Sequence, residues 1–363
     1  MNLMKQNNLN FYGPINPLGY GISSYNIWKN LRQNISTTLF PINEVQLESH
    51  WLKTELVEDI KNQLNYDVTA PCLKVWHAND MLIKPHNKNL YAGYTFFEID
   101  KITNQERIGY EILDIIFVPS QWAKNVLIAN AIDDKKIIVA PAGVDTEIFD
   151  HHKYEDAVED KTDKYIFLNI GKWEARKGHD ILLHIFNKAF STNDNVELWM
   201  MNTNPFLSEQ DNNQWINMYK NTNLGSKIKI LPRMPTQKNV AKIIKMSDCG
   251  IYPSRAEGWN NEAIETMAMN KPIIITDYSA HTEYCNSQNS YLLDIKNTEI
   301  AEDGVFFNGH GNWADIDDCI DQCVEYMRKV YKDNIRTNSK GIETAQKYNW
   351  SQTCNIIQNK IYE

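Results

Sequence analysis

Along the first 140 positions, short apolar runs alternate with longer amphipathic stretches. Runs rich in β-branched and aromatic residues, bounded by Gly, Pro, Asn or Asp, predict strands at 9–13, 37–41, 72–76, 91–97, 114–118 and 137–140. Apolar positions recurring every three or four residues predict helices over 23–34, 47–64, 103–112 and 120–131. A second series follows, with strands at 165–170, 196–201, 227–231, 249–253 and 272–276 and helices at 178–190, 208–220, 236–247 and 261–269. The tail, roughly 313–362, carries mostly helical periodicity.

Strands alternating with helices build parallel sheets covered on both faces. Two such series therefore predict an α/β protein of two doubly wound, Rossmann-like domains. Between them, DHHKYEDAVEDKTDK (150–164) is charged and lacks apolar periodicity, which marks a linker. The expected division is a first domain over 1–155, a second over 156–345 and a separate helix over 346–363. In such sheets ligands bind at the carboxyl ends of the strands, and a cleft between domains is a frequent ligand site.

Composition narrows the function classes. The net charge of −9 over 363 residues argues against nucleic acid as the main partner. Carboxylates outnumber cations even within residues 1–150, so no general basic face is expected for an anionic bilayer, and only a local patch stays open for peripheral membrane contact. No apolar run approaches the ~20 residues of a membrane helix. The start, MNLMKQNNLNFYG, lacks the apolar core of a secretion signal. Six scattered cysteines form no Cys-x-x-Cys pair, and Cys319 and Cys323 at i,i+4 read as packing. A cytoplasmic protein is the expectation.

Two stretches carry chemistry. In Gly171-Lys172-Trp173-Glu174-Ala175-Arg176-Lys177-Gly178 a strand ends on a glycine and three cations follow within six residues. Glycine admits close approach of a ligand, and cations meet an anion. In Ser254-Arg255-Ala256-Glu257-Gly258-Trp259-Asn260-Asn261-Glu262-Ala263-Ile264-Glu265, a strand runs through a loop into a helix. Asn260 or Asn261 suits the N-cap, and Glu262 suits the positive end of the helix dipole. Neither role explains Glu257, which precedes the helix. Free N–H groups at a helix start bind phosphate, and carboxylates accept from vicinal hydroxyls. Glu257 and Glu265 around such a turn suit a nucleotide sugar.

The second stretch, with Lys271-Pro272-Ile273-Ile274 after it, resembles the Glu-x7-Glu signature of retaining GT-B glycosyltransferases of family 4. Gly171-Lys172 with Lys177-Gly178 resembles that family's diphosphate turn. Pro141-Ala142-Gly143-Val144-Asp145 through Phe149 resembles its interdomain join, and Tyr348-Asn349-Trp350-Ser351 its C-terminal helix, which returns to the first domain. The resemblance implies a GT-B fold and a hexosyltransferase. It would move sugar from a UDP- or GDP-linked donor to a glycan, lipid-linked or other hydroxyl acceptor, in the manner of polysaccharide biosynthesis, with retention. It implies no cofactor and no metal. By the same resemblance Lys172 and Lys177 hold the donor diphosphate, Glu265 the ribose and Glu257 the transferred sugar. Gly258, Trp259 and Asn260 offer backbone, and Gly19, Tyr20 and Gly21 form the N-terminal loop. Arg176 is expected to point elsewhere. Lys172 stands where the family usually has Arg, and no His ends the 91–97 strand, so Glu98 is a candidate at the reaction centre, with His77 its rival. A nucleotide-sugar 2-epimerase, or a non-catalytic sugar-nucleotide-binding protein, is the alternative on the same fold.

Two further patterns are set aside. Gly19-Tyr20-Gly21-Ile22-Ser23-Ser24, with Glu44 downstream, approaches a dinucleotide fingerprint but lacks its third glycine. Asp315-Ile316-Asp317 is a formal Asp-x-Asp in a helical pattern, where alternate residues point apart.

Overall fold

The computed structural model describes residues 7–83, 88–158 and 163–363. The chain forms two compact units: residues up to Asp145 together with Tyr348–Glu363, and Thr146–Lys347.

The first unit runs β1 (Asn8–Gly13), α1 (Gly19–Leu31), β2 (Ser36–Pro41), α2 (Lys53–Lys61), β3 (Cys72–Val75), β4 (Tyr91–Tyr94), α3 (Asn104–Glu111), β5 (Ile115–Val118), α4 (Gln121–Ala129) and β6 (Ile137–Val139). Its six strands are all parallel, in the order β2-β1-β3-β4-β5-β6. The order reverses between β1 and β3, the place where a doubly wound sheet opens a crevice. Tyr91, Tyr110, Ile116, Val118 and Leu127 belong to its buried core.

The second unit contains β7 (Tyr165–Ile170), α5 (His179–Ala189), β8 (Val196–Met201), α6 (Glu209–Lys220), β9 (Ile228–Ile230), α7 (Gln237–Met246), β10 (Cys249–Tyr252), α8 (Asn261–Ala268), β11 (Ile273–Thr276) and β12 (Tyr291–Leu293). A hairpin, β13 (Thr298–Glu302) with β14 (Asn308–Ala314), leads to α9 (Ile320–Lys332) and α10 (Ser339–Lys347). The parallel sheet reads β12-β11-β10-β7-β8-β9, with its reversal between β7 and β10. Every residue of β7 and β8 is buried, as strands covered on both faces require. The last helix, α11 (Trp350–Tyr362), packs on α1 of the first unit. Val144 N–H donates to Tyr348 O (3.0 Å) and Thr353 Oγ1 to Pro141 O (2.6 Å). A Cβ on Gly143 would lie 2.2 Å from Trp350 N, so this join needs glycine.

Several expectations shift. Residues 17–21 do not form a free loop: α1 begins at Gly19, with Ile22 N–H on Leu18 O at 2.8 Å. A Cβ on Gly21 would lie 2.1 Å from Asn16 O, so the glycine serves chain packing. β4 ends at Tyr94 because the Tyr20 hydroxyl takes both backbone groups of Phe96, each at 3.0 Å. The helix expected from 47 starts at Lys53, since Trp51 turns in to stack on Tyr25 at 4.1 Å. Residues 150–158 of the expected linker are held on α7: Lys245 Nζ donates to Glu155 (2.6 Å) and His151 O (2.6 Å), and Lys242 to Asp156 (2.8 Å). Residues 159–162 lie outside the described residues. Asp315 is not helical but lies between β14 and the next helical turn, and its carboxylate accepts from Asp317 N–H at 3.1 Å. All six cysteines are buried and free. No described helix is long and apolar enough to cross a membrane.

Candidate active site

The two stretches that the sequence singles out meet at the β7/β10 reversal. Gly171 directly follows β7, and a Cβ there would come within 2.7 Å of Lys177 Cδ. The missing side chain lets Lys177 fold back over the strand end. Gly178, at φ 73°, turns the chain into α5 where a Cβ would lie 2.0 Å from Pro253 O, just past β10. Left-handed backbone and close approach both require glycine there.

Glu257 is buried at the centre. Its Oε1 accepts from Lys177 Nζ (2.8 Å) and Ser254 Oγ (3.0 Å), and its Oε2 from Arg176 Nη1 (2.7 Å). Burial opposes its ionisation, but Arg176 and Lys177 outweigh burial and hold the carboxyl well below the usual range. Lys177 is the mirror case: burial works against its charge, and Glu257 and Glu262 raise its pKa above the ordinary value. Arg176 is not directed away, as its position in the motif suggests. It is buried and bridges Glu257 to Glu174, whose Oε2 it meets through Nη2 at 2.7 Å. Glu174 pairs with Lys172 through its other oxygen at 2.9 Å. Lys172 is the outer member, with 36% of its side chain exposed and its ammonium 4.9 Å from the Phe206 ring centre. Three cations against two carboxylates leave this cluster one positive charge in excess.

Two buried neutral histidines fix the turns. His179 Nδ1 accepts Glu174 N–H at 3.2 Å, which leaves its Nε2–H for Asn169 Oδ1 at 2.9 Å. Burial pushes its pKa down to about 3. His281 Nδ1 faces Thr276 O at 3.0 Å and must be the donor there. Its Nε2 then accepts from Asn260 Nδ2 at 3.0 Å, and burial lowers its pKa to about 4. Asn260 is the N-cap of α8, bonding Ala263 N–H at 3.2 Å from a left-handed φ of 73°. The Tyr284 hydroxyl donates to Trp259 O at 3.0 Å, and Ser279 Oγ accepts Glu257 N–H at 2.9 Å. The segment 276–284 thus clamps the Glu257–Asn260 loop from behind. Arg255 extends the frame, meeting Asp180 at 2.8 and 2.9 Å and Glu299 of the hairpin at 2.8 Å. Sequence reasoning missed Arg176, Glu174, Ser279 and His281. For Ser279 and His281 the local signal was a run of polar residues after β11; Glu174 and Arg176 stood inside the cation motif without these roles.

Gly258, Trp259 and Asn260 are buried in this loop, and Glu265 is buried in α8. The other candidates sit in the first unit. Tyr20 packs against His77 (4.5 Å), Trp76 (5.3 Å) and Phe96 (5.2 Å) at the β1/β3 reversal. His77 is exposed there and Glu98 is partly exposed, while Gly19 and Gly21 belong to the first turn of α1. Among the described residues, no group of three or more His, Cys, Asp or Glu is placed to hold a metal.

Residues 150–347 match the family model described as glycosyl transferases group 1. An uncharacterized glycosyltransferase of Methanocaldococcus jannaschii is 25% identical over 337 residues, 87% of this chain and 81% of that protein. Two further relatives are matched over only 26% and 44% of their own length: another glycosyltransferase of the same organism, and the GPI3 subunit of a Saccharomyces cerevisiae phosphatidylinositol N-acetylglucosaminyltransferase. Among solved structures, sucrose-phosphate synthase from Thermosynechococcus elongatus superposes with a TM-score of 0.72 at 13% identity, covering 98% of each chain. Anabaena HepE in complex with UDP-glucose gives 0.71 at 12% identity, covering 98% of this chain and 99% of that one.

Proposed function

The chain belongs to the glycosyl transferases group 1 family, and from that premise we propose that it transfers a sugar from a nucleotide-diphosphate sugar to a hydroxyl of a carbohydrate or lipid-linked acceptor. The observation that carries this is the cluster of Lys172, Arg176 and Lys177 around Glu174 and Glu257, next to the capped start of α8. Cations and the free N–H groups of a helix start are the groups that bind a diphosphate, which supports this reading. A UDP-linked donor is favoured by the UDP-glucose bound to HepE.

In this reading Lys177 and Lys172 neutralise the diphosphate as it leaves, and the N-terminus of α8 adds its dipole. No metal is needed for that charge. Arg176 keeps Glu257 ionised and in place. Each carboxylate oxygen has two lone pairs, so Oε2 of Glu257, which accepts from Arg176 Nη1, retains capacity for a sugar hydroxyl. Glu265 is assigned to the ribose, and the Gly258–Asn260 backbone to phosphate or sugar. The first unit supplies the acceptor side. Retention of configuration rests on the family resemblance, and the anomeric signal of the first product by NMR decides it.

The test is a thermal-shift series with UDP, UDP-glucose and GDP-mannose, followed by nucleotide release in the presence of sugar acceptors. A ligand at about 100 times its dissociation constant adds roughly 2.7 kcal/mol of stability. Uridine compounds are expected to give the larger shift. If no nucleotide sugar shifts the transition and none is consumed, the proposal fails.

A further inference from the structure

The first unit holds a cavity of about 370 Å³ lined by Tyr12, Ile42, Asn43, Lys74, Trp76, Asp80 and Ile83. It lies at the carboxyl ends of β1, β2 and β3, beside the β1/β3 reversal. Its volume is within the ordinary range for small-ligand sites.

The lining joins two chemistries. Tyr12 and Trp76 contribute aromatic surface, and Tyr12 is backed by Phe40, stacked at 4.3 Å and nearly parallel. Among them stand polar groups of both kinds. Lys74 is only 5% exposed and donates to Asp80 O and to Ile83 O at 3.1 Å. An ammonium has three donors, so one remains after these two bonds. Burial draws its pKa below the ordinary value. Asp80 Oδ2 accepts from Trp76 Nε1, which leaves Oδ1 with accepting capacity. Asn43, at φ 64° on the rim, adds an amide that both donates and accepts.

We infer that this cavity is a carbohydrate subsite that takes one neutral hexopyranose ring of the acceptor. This rests on the glycosyltransferase reading and adds the ligand class. A pyranose has apolar C–H faces for aromatic walls and a rim of hydroxyls, each donor and acceptor at once. A lipid chain would leave Lys74 and Asp80 facing hydrocarbon unsatisfied. A free anion would meet Asp80 as well as Lys74. A planar base would use the walls but fewer of the converging polar groups.

The test is saturation-transfer NMR on the whole chain with methyl α-D-glucopyranoside, methyl α-D-mannopyranoside and methyl α-D-galactopyranoside, with adenosine as the planar competitor. UDP binding is followed in the same samples. At least one pyranoside is expected to receive saturation. Trp76→Ala should weaken it about tenfold and Asp80→Asn about fivefold, with UDP binding unchanged. Asn43→Gly, an exposed rim change that keeps the left-handed backbone without strain, should also weaken it. No pyranoside signal while UDP still binds overturns this inference and leaves the donor reading standing. Equal signal in all three variants, or saturation of adenosine in place of the sugars, also overturns it. Loss of UDP binding in the unaltered protein overturns the donor reading itself.

Discussion

The two units reverse their strand order at equivalent places and fill those places with opposite chemistry. At β7/β10 the second unit buries charge: Lys177 and Arg176 converge on Glu257, and Arg176 and Lys172 on Glu174. At β1/β3 the first unit gathers rings, with Tyr20 among Trp76, His77 and Phe96, and neutral bonds from the Tyr20 hydroxyl to Phe96. One fold principle supplies both crevices, and side chains decide the ligand. A charged crevice suits a leaving diphosphate, whereas an aromatic one suits a sugar. Substitutions on the two sides should therefore fail in different ways.

The largest effect is expected at Glu257. Glu257→Ala leaves Arg176 and Lys177 buried without their shared partner, which costs about 3–5 kcal/mol of stability. Thermal unfolding should show a marked drop, and activity should vanish with it. An unchanged transition would mean that the buried pairs are not structural. Lys177→Ala comes next, with turnover lowered about a hundredfold, near 3 kcal/mol at the transition state. Lys172 is more exposed, so Lys172→Ala should act mainly on donor KM and Lys172→Arg should keep most activity. Steady-state kinetics separates the two lysines.

How much of this contrast the sequence discloses depends on range. β7 and β8 lie where the apolar runs put them, because strands buried on both faces write themselves as continuous hydrophobic stretches. The residues of the charged crevice stand out through glycines and cations packed into short motifs. Arg176 was misjudged because its partner is 81 residues away, and only the sheet brings Ser254–Glu257 beside 174–177. The hairpin β13–β14 was missed for a related reason. Its strands, TEIAE and NGHGNWA, carry little apolar alternation and are fixed by Arg255, Glu299 and Trp313. His281 looks like any loop histidine until Thr276 and Asn260 are seen on either side of it.

A pH experiment sharpens the comparison on the charged side. His281 has its pKa lowered from 6.5 to about 4, so between these values the unfolded chain binds a proton that the folded one does not. Stability then rises with pH across that window and is lost as pH falls from 6.5 toward 4. The slope is about 1.4 kcal/mol per pH unit for one such histidine, and His179 adds its own. His281→Gln should remove about one proton from the slope of unfolding free energy against pH. An unaltered slope would contradict the buried neutral imidazole. The smallest effect is expected on the aromatic side. Tyr20→Phe removes the bonds to Phe96 and should cost about 1 kcal/mol in denaturant titration, with UDP affinity unchanged.

The placement of α11 bears on the order in which the protein is made. Trp350, Cys354, Ile357 and Ile361 are buried in the first unit, yet they are synthesised some 200 residues after Asp145. On the ribosome the six strands of the first unit can therefore emerge while α1 still lacks its cover. The unit translated first waits for a late helix, and until then its α1 surface is open to chaperones or to premature association. A chain ending before residue 348 would keep all six strands of the first unit but leave α1 without α11.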